Sequence, residues 1–139
     1  VNHNKDLCKN ADAFAKRKGM KLIRVTNDMS EIFWGEGFTY IPTPAQFLYI
    51  IKNAKYVITD SFHGTCFCIN FNKNFIDVLP EIHSQRNRSV LEFFNLTDRI
   101  IVGDKFDLVE KGIDWSKVNN ILIEQREISM EKLNNLCEI

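Results

Sequence analysis

The stretch "YVITDSFHGTCFCINFNKNFIDVL", residues 56–79, decides how this chain folds. It opens on "YVIT", a short run rich in β-branched residues that predicts a strand. Phe62 to Phe71 is apolar almost all round, which predicts a buried helix. "FIDVL", residues 75–79, predicts a second strand, and Pro80 closes it. Strand, helix and strand joined this closely predict a parallel pair with its crossover helix. Between the first strand and the helix stand Asp60, Ser61, Phe62, His63, Gly64 and Thr65. Ligands of open parallel sheets sit beyond the carboxyl ends of the strands, where this polar cluster falls.

The pattern continues in both directions. Leu7, Ala11, Phe14 and Ala15 give Lys5–Arg17 an apolar stripe, with Gly19 as its stop signal. "KLIRV", residues 21–25, reads as a strand, and residues 27–39, with two glycines and no period, as a loop. Thr43, Pro44 and Gln46 form the signature of a capped helix start, ahead of Phe47, Ile50, Ile51 and Ala54 on one face. Downstream, "EIHSQRN", residues 81–87, reads as a polar loop. A short helix Ser89–Phe94, a short strand Arg99–Val102, a helix capped by Ser116 and running through Asn119–Glu124, and a last helix Ser129–Leu136 capped by Ser129 complete the set. The expectation is an α/β fold: a Rossmann-like, three-layer open parallel sheet, with residues 1–139 as a single domain.

Composition is that of an ordinary globular domain, with 45% apolar and 26% charged residues among 139. The formal charge of zero gives no global field to draw in nucleic acid or an anionic membrane. No apolar run reaches membrane-spanning length. Cys8, Cys66, Cys68 and Cys137 match no zinc spacing. The two glycosylation sequons, at Asn87 and Asn95, read as chance occurrences in a reducing, cytoplasmic setting. Because Val1 leads almost directly into a helix, a preceding strand is expected to be missing and the chain to be a fragment of a longer two-domain protein.

The cluster after "YVIT" suits an anion. The first-turn N–H groups of a helix and its dipole favour negative charge. Ser61 either caps the helix or contributes to that site. Gly64 allows close approach by a ligand or by a neighbouring element. Thr65 adds a hydroxyl. His63 lies in the first turn, where a bound anion favours its protonated form and places it as a general acid. Asp60 either orients His63 or bonds to the turn. A second cluster, "HSQRNRS" at 83–89, follows the next strand and should end at the same sheet edge. Arg86 and Arg88 suit a phosphate or carboxylate, against the alternative of a solvated basic loop, and His83 is a weaker alternative to His63. "WGEGF", residues 34–38, lacks the Lys-Ser/Thr of a phosphate loop. Trp34, Phe38 and Tyr40 read as loop anchors ahead of a partner or sugar surface, and Trp115 as packing for the C-terminal helix. Asp104, Asp107 and Glu110 lack calcium-loop spacing.

"TPAQFLYIIKNAKYVITDSFHGTCFCINFNKNF" resembles the signature region of the polysaccharide pyruvyl transferase family, with "IKNAKYV", "TDSFHGT" and "FNKNF" in order. "RNRSVLEFFNLTDRI" and the late "IDW" resemble the family's downstream and C-terminal regions, so the likeness covers roughly residues 5–136. Asn74 stands where the family often has proline. The resemblance implies a two-domain, glycosyltransferase-like (GT-B-like) architecture of which this chain is the C-terminal half. It implies transfer of the enolpyruvyl-derived group of phosphoenolpyruvate onto a sugar hydroxyl of a cell-surface polysaccharide, giving a pyruvate ketal. His63 would be the catalytic acid. Arg86, rather than Arg88, aligns with the arginine that contacts phosphoenolpyruvate. Phosphoenolpyruvate is then a donor substrate, with no metal or other cofactor required. The implied partners are the missing N-terminal domain and a saccharide acceptor, not nucleic acid. Peripheral association at the inner face of the membrane is compatible with this role. The competing readings are a nucleotide-sugar glycosyltransferase-like domain and a non-catalytic assembly domain.

Overall fold

Strand Phe75–Val78 (β4) is buried on both faces, and the domain is built around it. In the computed structural model, which describes residues 5–26, 38–40, 42–79, 84–103 and 105–137, β4 lies between Val57–Thr59 (β3) and Ile100–Ile101 (β5), all parallel. Side chains alternate across a strand. Phe75 joins a core with Ile51, Cys68, Ile69, Leu91, Leu96 and Val118. Ile76 and Val78 join the opposite core with Phe14, Ile101, Phe106 and Val109. Helices Pro44–Asn53 (α2), Phe62–Asn70 (α3), Ser84–Phe93 (α4) and Trp115–Cys137 (α5) supply the first core; Lys5–Arg17 (α1) and a 3₁₀ turn at Phe106–Glu110 cover the second. The result is a small α/β domain with a three-stranded parallel sheet flanked by helices, consistent with a Rossmann-like fold. Ile23–Val25 (β1) and Phe38–Tyr40 (β2) form a separate parallel pair.

Local chemistry explains the boundaries. The Thr43 hydroxyl accepts from the Gln46 N–H while the Gln46 side chain accepts from the Thr43 N–H, so the expected capping box forms with Pro44 at the first helical position. Three helices end alike, on a left-handed residue that lets the next N–H reach back to the last turn: Gly19 (φ 61°), Asn72 (φ 53°) and Asn95 (φ 56°). The returning bonds are Met20 N–H to Ala15 O, Lys73 N–H to Cys68 O and Leu96 N–H to Leu91 O.

Four expectations are corrected. Phe38–Tyr40 is a strand, not loop, because it finds β1 as a partner. α4 begins at Ser84, five residues before the expected start, because the buried residue of its first turn is polar: Asn87 stands one turn ahead of Leu91. The two C-terminal helices are one, α5, since nothing between Glu124 and Ser129 breaks a helix. Neither Ser116 nor Ser129 caps a helix; both lie inside α5, and Asp114 Oδ1 accepts from the Lys117 N–H at the start of α5. Trp115 packs on the core as expected. Pro80, His83, Trp34 with the rest of residues 27–37, and Asp104 lie outside the described residues, as do the side chains of Phe38 and Tyr40.

Candidate functional site

Thr59 and Asp77 are register partners at the carboxyl ends of β3 and β4, on the face covered by α3 and α4. The Thr59 hydroxyl accepts from the Ser61 N–H at 3.0 Å. Ser61 in turn caps α3, its Oγ accepting from the Gly64 N–H at 3.3 Å. The N–H groups of Phe62 and His63, ahead of the first intrahelical bond, have no acceptor within the helix. Gly64 is approached by a neighbouring strand: a Cβ there would lie 2.5 Å from Thr59 Oγ1. Gly64→Ala must therefore lift the start of α3 or break the Thr59–Ser61 bond. We expect a loss of about 1–3 kcal/mol, read as a lower urea midpoint.

Thr65 does not face the surface. It is fully buried, and its Oγ1 lies 2.6 Å from Asp77 Oδ2 and 3.1 Å from the Ser61 carbonyl. Its place is in the support of the site rather than in its lining. Burial pushes the Asp77 carboxyl above its ordinary value; the bonds from Thr65 and Asn87 pull it back, and the charge of Asp60 adds to the rise. A raised folded-state value stabilises the fold below the ordinary carboxyl range, and that contribution is lost as pH rises through the raised value. Urea midpoints of the parent should thus fall relative to those of Asp77→Asn as pH climbs from about 4, a value near the ordinary aspartate pKa.

Asn87 completes the support. It is 2% exposed and donates its amide to Asp77 Oδ2 at 2.9 Å, to Asp77 Oδ1 at 3.2 Å and to the Asp60 carbonyl at 3.3 Å. One amide thereby links α4, β4 and the turn that precedes α3. Asn87 does not stand out in the sequence, since a buried amide among polar neighbours carries no periodic signal; Asp77 does carry one, as the lone carboxyl within the apolar run of residues 75–79.

His63 is exposed on the first turn of α3, edge-to-face against the Phe62 ring at 5.6 Å. The Arg86 guanidinium lies over that same ring, 5.5 Å from its centroid. Imidazole and guanidinium therefore each contact one aromatic side chain, on helices that start at the same sheet edge. An open groove of about 390 Å³ is lined by Phe62, Gln85, Arg86, Ser89, Val90 and Phe93; His63 is not among its lining residues and reaches it only through its contact with Phe62. Arg88 is exposed, about 200° round the helix axis from Arg86, and lines no part of the groove. Burial pushes the Cys66 thiol up, and that of Cys68 up to about 12, so Cys68 is an inert core side chain. Among the described residues no group of three or more His, Cys, Asp or Glu side chains could hold a metal ion, and no helix is long and apolar enough to cross a membrane.

A model of the polysaccharide pyruvyl transferase family matches residues 5–81, more than half of the chain. The chain belongs to the polysaccharide pyruvyl transferase family. No curated protein and no solved structure matches it. The match takes in α1 through β4 and with them Asp60, Ser61, His63, Gly64, Thr65 and Asp77. Arg86, Asn87 and Arg88 lie beyond it, so it is the structure that joins the matched helix start to α4. Membership in the polysaccharide pyruvyl transferases supports a pyruvyl-transfer type of enzymatic role for the chain.

Proposed function

We propose that this chain is the donor-binding, C-terminal domain of a two-domain polysaccharide pyruvyl transferase, with phosphoenolpyruvate held between the starts of α3 and α4. The observation that carries this reading is the contact of both His63 and Arg86 with Phe62, where α3 begins at the carboxyl edge of the sheet. Arg86 pairs with the phosphate or carboxylate of the donor, and the first N–H groups of α3 add to the same anion site. His63 gives its proton to the methylene carbon of the enol. Positive charge then builds on the neighbouring carbon, which a sugar hydroxyl attacks, losing its own proton. The carbon–oxygen bond to phosphate breaks, inorganic phosphate leaves, and a second hydroxyl of the same sugar takes its place. Both hydroxyl protons are released, and the product is the pyruvate ketal.

Calorimetry with phosphoenolpyruvate tests the donor site. Arg86→Ala should weaken binding at least about tenfold, since a hydrogen bond to a charged group contributes about 1.5–3 kcal/mol. A parent chain that ignores phosphoenolpyruvate but takes a nucleoside diphosphate sugar would place it among glycosyltransferase-like domains instead. Binding of neither would favour an assembly role.

A further inference from the structure

We infer that Asn87, acting through Asp77, is a positioning residue that sets where the Arg86 clamp stands relative to His63; the catalytic part of this inference rests on the roles proposed above for those two residues. Arg86 and His63 sit on different helices and share no hydrogen bond among the described contacts. What fixes their separation lies beneath them. Thr65, on α3 just after His63, is bound to Asp77 at 2.6 Å. Asn87, next to Arg86 on α4, is bound to both oxygens of the same carboxyl. The carboxyl on β4 is therefore a common peg for the two helix starts. The bond from Asn87 to the Asp60 carbonyl adds a second tie, to the turn that leads into Ser61 and Phe62. All three side chains are buried, with Thr65 and Asp77 at 0% exposure, so water does not substitute for a lost partner at no cost. A network of this kind holds geometry more tightly than packing of apolar groups, because each bond has a direction as well as a distance.

The test compares two variants of the chain with its parent. Asn87→Asp keeps the shape of the side chain but sets a carboxyl against Asp77 and against the Asp60 carbonyl. The swap Asn87→Asp with Asp77→Asn restores an amide facing a carboxylate, with the direction of donation reversed. Two readouts are used: the affinity for phosphoenolpyruvate, and the chemical shift of the Arg86 side-chain protons, which the Phe62 ring current displaces without any ligand present. Asn87→Asp should weaken phosphoenolpyruvate binding at least tenfold and abolish the ring-current displacement. The swap mends the tie to position 77 but not the one to the Asp60 carbonyl, so it should regain a part of the lost affinity and of the displacement together, as expected where two residues act as one unit. Asn87→Asp protein that keeps the parent's Arg86 shift overturns the inference. So does a swap that recovers the melting temperature while the Arg86 shift stays lost, since that is the behaviour of a structural bond only. If Asn87→Asp does not fold, Asn87→Ser, which retains a short donor, is read in its place by the same criteria. Arg86 shifts that follow the network in a parent that binds no phosphoenolpyruvate would sustain the positioning and remove the donor assignment.

Discussion

In the two-domain protein proposed above, His63→Ala should lower pyruvyl transfer by about 10²–10⁴-fold, the usual contribution of a positioned general acid, while leaving the domain folded. The imidazole is exposed, and its described contact is the edge-to-face packing on Phe62, so no core is opened by its removal. Phosphate release from phosphoenolpyruvate in the presence of a saccharide acceptor reads the loss, and the thermal midpoint reads the fold. Because Arg86 and the start of α3 carry donor affinity in this scheme, the loss should fall on kcat and spare KM. Turnover within a few-fold of the parent would remove His63 from the acid role. A rise in KM with kcat preserved would instead make it a binding group.

The second large effect concerns stability. Arg99 is 2% exposed, and its guanidinium is spent on fixed partners. Nη1 donates to the Lys111 carbonyl at 2.8 Å and to the Leu108 carbonyl at 3.4 Å; Nη2 and Nε grip both oxygens of Asp98 at 2.7 and 3.3 Å. The side chain thereby clamps the 3₁₀ turn that covers one core to the start of β5. Arg99→Ala strands two carbonyls and leaves a void, and should cost about 2–5 kcal/mol, a fall in the melting temperature of more than about 6 °C. Arg99→Lys keeps the charge but offers a point donor in place of a fork, and should recover less than half of the loss. An alanine variant melting within about 2 °C of the parent, under 1 kcal/mol, would show the clamp to be idle. The Arg99 guanidinium also holds the Asp98 carboxyl below its ordinary range, with Lys111 assisting. That contribution is present above the ordinary value and lost as pH falls through the lowered one, opposite in sign to the behaviour of Asp77.

Arg86 and Arg99 show what can be read in the sequence. Arg86 is legible: it stands in a basic cluster after a strand, where a parallel sheet brings loop ends together. Arg99 is not, because an arginine beside an aspartate reads as a surface pair until tertiary contacts bury it. The α3 start is legible for a different reason. Polar residues between two strongly apolar runs stand out, and Ser61 caps the helix where its spacing places it. The sequence puts the Thr65 hydroxyl on the ligand side and leaves Gly64 open between a ligand and a neighbouring element. Which face of a helix turns inward depends on what packs there, and here a strand threonine and a buried carboxyl claim them. Asn87 escapes because hydrophobic periodicity is blind to a buried amide, and the same blindness delays the apparent start of α4. The unbroken α5 escapes for the converse reason: Ser129 reads as a cap where it is only a tolerated residue in an exposed turn.

Asp77 occupies a strand whose flanking residues, Ile76 and Val78, point into the hydrophobic cluster of the opposite face. Sliding β4 by one residue against its neighbours would turn the carboxyl into that cluster, away from the threonine and the asparagine, and would bring an isoleucine or valine to face an amide. The correct alignment is therefore separated from its nearest competitor by polar groups left stranded on both sides of the sheet. In this domain a costly buried acid also tells the chain which of two otherwise similar pairings is the right one.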